Sequence, residues 1–255
     1  MRWKFMAMQL VVSDAKFFKS CIDAVSNLVD EGTFEVSASG MHLRNMDPSQ
    51  IAMVDFNLPK EAFEKFSADD GANLGINLLD LGKVLARARA DEKLTISMDE
   101  KDNKLLLEFV GDSKRNFKMP LLDLGGVPPK EPKITFDAHI KMRAGALKEM
   151  LKDAGLLSSH VVLQAEGDSL LVEAHGDSGD LVIDTKKNAG SVSEFKASGK
   201  ARAMYPFEYL DDVTRAAPED TTVTIELKSD APVRVSYEIG KAKLAYYLAP
   251  RVETI

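Results

Sequence analysis

A chain of 255 residues, with 45% hydrophobic and 29% charged residues, has the balance of a soluble globular protein of one large or two ordinary domains. Its apolar runs, such as Leu105-Leu106-Leu107, fall far below the ~20 residues of a membrane span; Met1-Arg2-Trp3-Lys4-Phe5 is too short and too charged for a signal-peptide core; and a lone cysteine, Cys21, excludes an internal disulfide framework and suits a reducing compartment. The net charge of −7 argues mildly against a nucleic-acid binder, but a basic face on an acidic body can hold DNA, so the placement of the 33 basic residues matters.

In chain order, Ser13 or Asp14 can cap a first helix, whose apolar stripe runs through Phe17, Phe18, Cys21, Ile22, Val25, Leu28 and Val29. Period-two alternation predicts strands at 33–37 and 53–58. A second helix carries Leu78, Leu81, Val84, Leu85 and Ala88, and strands follow at 94–98 and 104–110 around the turn Glu100-Lys101-Asp102-Asn103. Residues 121–132 are rich in Gly and Pro and read as a surface connector. Its Leu121, Leu122, Leu124 and Val127 either staple it down or wall a partner groove. The third helix carries Leu147, Met150, Leu151 and Ala154, before strands at 161–165, 169–174 and 181–185. The fourth carries Phe207, Leu210, Val213 and Thr214, before strands at 222–227 and 234–239 around the turn Ser229-Asp230-Ala231-Pro232. Many antiparallel strands with two helices per half make an α+β protein.

The halves repeat weakly. Val84-Leu85-Ala86-Arg87-Ala88, followed by Leu94-Thr95-Ile96, matches Val213-Thr214-Arg215-Ala216-Ala217 followed by Val223-Thr224-Ile225. The offset from Val84 to Val213 is 129 residues. Phe34 to Gly40 matches Val161 to Gly167 at an offset of 127. Two tandem domains, 1–120 and 133–255, joined by the 121–132 connector, is the economical division.

Charge recurs on the helices: Lys16 and Lys19, three apart, on the first, Lys83 and Arg87, four apart, on the second, Lys148 and Lys152, four apart, on the third, Arg215 on the fourth. Glu149 and Asp153 form an adjacent stripe. Taken singly, each pair reads as a solvated face; together on one surface they would meet phosphate without reading bases. Lys114, Arg115 and Lys118 crowd one prospective edge strand and Asp177, Asp180 and Asp184 another. The two edges suit head-to-tail pairing of subunits, or simply prevent aggregation. No phosphate-binding glycine loop occurs, and His42, His139, His160 and His175 lack metal-ligand spacing.

Leu43-Arg44-Asn45-Met46-Asp47-Pro48-Ser49-Gln50-Ile51-Ala52-Met53-Val54 resembles the M-D-P-S-x-x-A-M-V signature of archaeal proliferating cell nuclear antigen, the DNA polymerase sliding clamp. Tyr246-Tyr247-Leu248-Ala249-Pro250-Arg251-Val252-Glu253 resembles its C-terminal Y-Y-L-A-P-K-x-E, and the resemblance extends from about Met6 to Glu253. The connector is poorer in acidic residues than in many relatives, and residues 1–4 look like an extension.

The resemblance implies the DNA clamp fold, two similar domains each with two helices packed on antiparallel sheets, assembled head-to-tail into a trimeric ring. Helices line the hole and strands form the shell. It implies a processivity factor for DNA replication and repair in an archaeal cytoplasm, at the nucleoid. Such a clamp has no catalysis, no cofactor and no metal. A checkpoint or adaptor clamp not dedicated to replication is the alternative. Carried over, Lys19, Lys83, Lys152 and Arg215 face double-stranded DNA, with Lys16, Arg87 and Lys148 beside them. The groove for PIP-box peptides of DNA polymerase, clamp loader (replication factor C), flap endonuclease and DNA ligase takes Met46, Gln50, Met53, Leu124, Val127, Pro232, Tyr247, Ala249 and Pro250. The subunit joint opposes Lys114, Arg115 and Lys118 to Asp177, Asp180 and Asp184. A second possibility opposes Arg87 and Arg89 to Glu149 and Asp153, which leaves Arg87 between DNA and joint. The acidic excess is then expected away from the lining helices.

Overall fold

A computed structural model describes residues 8–68 and 71–251. The 1–4 extension and the last two residues of the C-terminal motif, Val252 and Glu253, lie outside the described residues. In chain order the elements are β1 (Met8–Val12), α1 (Ala15–Ser26), β2 (Glu31–Ser37), β3 (Gly40–Met46), β4 (Ala52–Pro59), β5 (Lys65–Ala68), β6 (Ala72–Asn77), α2 (Leu78–Leu85), β7 (Lys93–Asp99), β8 (Lys104–Val110) and β9 (Lys114–Pro120). They continue with β10 (Ala138–Arg143), α3 (Ala144–Gly155), β11 (His160–Glu166), β12 (Ser169–Gly176), β13 (Gly179–Lys186), β14 (Val192–Ala197), β15 (Ala201–Pro206), α4 (Phe207–Arg215), β16 (Thr222–Leu227), β17 (Val233–Ile239) and β18 (Ala242–Leu248).

Apart from a single short 3-10 turn at Lys60–Ala62, the second eleven elements repeat the order of the first eleven, strand for strand and α-helix for α-helix. The offset is 129 residues at β2 and β11 and again at α2 and α4. The offset of 127 expected for Phe34 and Val161 is therefore two residues out of register. A slip of two keeps every side chain on its own face, so both alignments look apolar.

The chain forms two compact units. One comprises Met1–Asn45, Asp55–Pro129 and Ile239–Lys243; the other comprises Met46–Val54, Lys130–Glu238 and Leu244–Ile255. The division thus follows no single cut: the segment carrying Asp47 and Gln50 groups with the second unit.

In the first unit an antiparallel sheet runs β5-β1-β7-β8-β9, and β2 pairs with β3 and β6. Helices α1 and α2 pack side by side. Asp14 caps α1 by accepting the Lys16 N–H at 2.8 Å, and Ala15, Phe18, Cys21, Ile22, Ala24 and Val25 bury its inner face. The helix stops at Ser26, short of the expected Val29, because the N–H groups of Leu28 and Val29 both turn onto the Val25 carbonyl at 3.2 Å. Leu28 and Val29 stay in the core from the turn. Asn77 caps α2 through Asp80 N–H at 2.9 Å.

Helix α2 ends at Leu85, so Arg87 is not a helical residue four beyond Lys83; it lies in the following turn. Buried Glu92 causes the break, accepting the Arg89 N–H at 2.7 Å and drawing the chain out of the helix.

In the second unit a sheet runs β13-β12-β11-β15, and β10 pairs with β14 and β16, which pairs with β17. Helices α3 and α4 pack together. Between β9 and β10 no helix or strand forms. The connector is pinned at its start: Leu122 N–H donates to the Gly75 carbonyl at 2.8 Å, and a Cβ at Gly75 would stand 2.1 Å from the Leu122 oxygen. Gly125 and Gly126 then take positive φ angles, and Val127 is 90% exposed. No described helix is long and apolar enough to cross a membrane.

Candidate nucleic-acid interface and partner site

The expected basic helix faces are present, but most of the cations have an acid beside them. Lys19 pairs with Asp23, Lys83 with Asp80 at 2.8 Å, and Lys152 with Glu149 at 2.7 Å. Arg215 bridges Asp211 and Asp212, each at 2.7 Å, and these carboxylates hold its guanidinium above the ordinary arginine value. These spacings of three or four residues put both partners on one face of a helix. Lys16 is exposed at the start of α1.

Lys148 departs from expectation. Its side chain is only 13% exposed, and its Nζ donates to the Ala217 carbonyl at 2.6 Å and to Glu219 at 3.0 Å. It braces the turn after α4 instead of joining Lys152 on an open face.

Across the four helices stand six basic residues (Lys16, Lys19, Lys83, Lys148, Lys152, Arg215) against seven acidic ones (Asp23, Asp80, Glu149, Asp153, Glu208, Asp211, Asp212). The acidic excess was expected away from these helices; their charge is close to balanced, with a net of −1, against the −7 of the whole chain.

Both expected edge strands sit at sheet edges: β9 pairs only with β8, and β13 only with β12, among the described residues. Alternation divides the basic group, however. Lys114 and Lys118 are exposed, with Lys114 paired to Glu108 at 2.6 Å. Arg115, one residue along, points to the other face. There it pairs with buried Glu92 and lies over the Phe109 ring, 5.0 Å from its centroid. Arg115 is thus an internal strut of the first unit and not a free edge cation. Burial pushes the Glu92 carboxyl up; the bonds from Arg89 and Arg115 outweigh that and leave it below the ordinary value.

On the acidic side Asp177 lies in the β12–β13 turn, Asp180 bonds His175 at 2.8 Å, and Asp184 pairs with Lys186 at 2.8 Å. Val182 sits between the two strand aspartates on the same face and is 59% exposed. Glu149, Asp153 and Arg89 are exposed.

Of the expected groove residues in the second unit, Gln50 is exposed and Met46, Pro232, Ala249 and Pro250 are half-buried. Met53 (2% exposed) and Tyr247 (5%) are core residues. Period-two alternation is broken in β4, whose Ala52, Met53 and Val54 are all buried, so Met53 offers a partner no surface. Tyr247 donates its hydroxyl to Glu131 at 2.6 Å; burial first, then this bond, pushes the phenol up to about 12. The 46–54 loop is tied to the C-terminal segment, whose Ala249 N–H donates to the Ile51 carbonyl at 2.9 Å. In the first unit Leu124 and Val127 expose apolar surface on the connector.

The model of the proliferating cell nuclear antigen N-terminal domain matches residues 7–125, and that of the C-terminal domain matches 130–252. The chain belongs to the proliferating cell nuclear antigen family. Family members named DNA polymerase sliding clamp include one from Methanococcus vannielii, 36% identical over 244 residues that span 94% of this chain and 98% of the relative. Another, named DNA polymerase sliding clamp 1, from Pyrobaculum aerophilum, is 34% identical and covers 96% of this chain and 98% of its own. Among solved structures, PCNA from Thermococcus kodakaraensis superposes with a TM-score of 0.91 at 27% identity, covering 96% of this chain and all of that one. A. fulgidus PCNA, solved with the C-terminal region of FEN-1 bound, gives 0.88 at 26% identity, covering 97% of this chain and all of that one.

Two side chains that organise the family's M-D-P-S loop escaped the sequence reading. Asp47 stood in the signature without a role, and Tyr209, on α4, was not singled out. The Asp-Pro pair marks a turn, but nothing in the sequence ties it to a tyrosine 162 residues away.

Proposed function

We propose that this chain is one subunit of a sliding clamp, a trimeric ring that encircles duplex DNA and tethers replication and repair enzymes to it without performing chemistry of its own. The observation that carries this reading is the match of both halves to the family models, with relatives named as clamps aligned over nearly their full length. The ring closes head-to-tail, with the β9 edge of one subunit, bearing Lys114 and Lys118, beside the β13 edge of the next, bearing Asp180 and Asp184.

DNA meets Lys16, Lys19, Lys83, Lys152 and Arg215, and Arg87 from its turn. Because most of these share their charge with a carboxylate on the same helix, their pull on phosphate is weak, which suits a ring that must slide. Polymerase, clamp loader, flap endonuclease and ligase dock short peptides on the loop around Gln50 and on the C-terminal segment at Ala249 and Pro250. The connector offers apolar anchors of its own, Leu124 and Val127.

Loading by an archaeal clamp loader onto closed-circular and onto linear DNA, followed by gel filtration, tests the topological claim. The clamp stays on the circle and runs off the linear molecule. Equal loss from both overturns the mechanism.

A further inference from the structure

Asp47 is 4% exposed, and its carboxylate receives four hydrogen bonds. Oδ1 accepts the N–H groups of Ile51 and Ala52, both at 2.7 Å; Oδ2 accepts Ser49 N–H at 2.9 Å and the Tyr209 hydroxyl at 2.8 Å. The loop closes on itself as well: Asp47 N–H donates to the Ala52 carbonyl and Gln50 N–H to the Asp47 carbonyl, both at 2.9 Å. Three sides of a tight turn thus converge on one side chain, and a fourth bond fastens that side chain to α4.

Within this turn Gln50 has a φ of 57°. The other described non-glycine residues with positive φ are Asp91, Asn103 and Asp230. Those three have the short polar side chains that tolerate the left-handed region; glutamine does not. A residue held in a disfavoured conformation persists only where its surroundings over-determine it. Here Asp47 does so, and the Ile51 carbonyl, on the far side of the turn, is the acceptor for Ala249 N–H.

We propose that Asp47, seconded by Tyr209, is a positioning residue for partner-peptide binding: it touches no partner, and it holds Gln50 and the Ile51–Ala249 link in the arrangement that the peptide meets. This deepens the clamp reading and rests on it. Without the carboxylate Gln50 relaxes toward ordinary backbone angles, and the binding-competent loop becomes a fraction of the population. Apparent affinity then falls by that fraction. The bound state keeps its contacts, so association slows while dissociation does not change. Loss of a direct contact does the opposite and speeds dissociation.

The test uses the full chain and, as probe, a labelled peptide of the FEN-1 C-terminal region bound in the A. fulgidus complex. Binding kinetics are measured for wild type, Asp47→Ala, Asp47→Asn and Tyr209→Phe, with the melting temperature and solution mass of each. Asp47→Ala is expected to weaken binding about tenfold. Asp47→Asn, which keeps the acceptor for Ile51 and Ala52, is expected to recover part of that, and Tyr209→Phe to lose about twofold to threefold. All of the loss should lie in the association rate, at unchanged solution mass. If Asp47→Ala does not fold, the other two variants carry the same kinetic prediction. Wild-type affinity in folded variants, or a loss confined to faster dissociation, overturns the positioning role. Failure of the wild-type chain to bind the probe overturns the partner reading itself, and the positioning role with it.

Discussion

Lys148 and Lys152 are one turn apart on α3 and look interchangeable in the sequence, yet their environments differ. The Lys148 stem is packed away and its ammonium bridges a carbonyl and a carboxylate beyond α4, whereas Lys152 is 61% exposed and bonds only along its own helix. Replacing Lys148 with alanine removes two hydrogen bonds and a buried aliphatic stem, a loss of about 1–3 kcal/mol. Lys148→Ala should lower the melting temperature measurably and leave the salt dependence of duplex binding as it was. Lys152→Ala should do the reverse. A thermal scan and a fluorescence titration against duplex separate the two. Equal loss of DNA affinity in both variants would return Lys148 to the DNA-facing set. Lysines four apart mark a common helix face; which of them bends away depends on an acceptor 69 residues along the chain, and that is not a local property.

At the scale of elements, strands with clean alternation and flanking turns were legible. β8 coincides with its predicted span of 104–110 and β16 with 222–227. Others were not. β3 alternates, burying Met41 and Leu43 while His42 and Arg44 reach across to Asp55 half-exposed, yet it was not read as a strand. β6 carries Gly75, whose bare Cα lets the connector approach. The two edges β9 and β13 were legible as charge patterns, yet Arg115 was grouped with its neighbours because charge was counted along the chain and not by face.

On β13 the informative residue is apolar. Val182 lies exposed between Asp180 and Asp184 on the outermost strand of its sheet, a position that edge strands ordinarily guard with charge. If this edge is the subunit joint, Val182→Asp should shift the solution mass from trimer toward monomer. The melting temperature of the monomer should stay unchanged, because the side chain is exposed there. High salt should weaken assembly of the wild type as well, since the pairing includes surface charges. A trimer that survives Val182→Asp at low concentration would place the joint elsewhere.

For the whole molecule, a net charge of −7 gives little general attraction for DNA, and the helices add little to it. Their six basic and seven acidic side chains nearly cancel, and four of the cations, Lys19, Lys83, Lys152 and Arg215, are engaged by carboxylates three or four residues away. Arg215 is the extreme case, with Asp211 and Asp212 both within 2.7 Å. A phosphate must compete with two carboxylates for that guanidinium. Each phosphate neutralised contributes a slope of about −0.9 to log K against log salt, so a balanced face should show weak affinity and a shallow slope. Asp211→Asn with Asp212→Asn removes the competitors and leaves Arg215 in place. The doubly substituted clamp should bind linear duplex several-fold more tightly at low salt, with a steeper slope, and converge with wild type at high salt. Once loaded on a circle it should diffuse more slowly, because each step then breaks a stronger phosphate contact, while its retention on the circle stays the same. Titration across ionic strength and single-molecule tracking measure the two effects. An unchanged affinity would mean that Arg215 does not reach the backbone, and the charge balance of α4 would then serve the protein's own stability and not its movement along DNA.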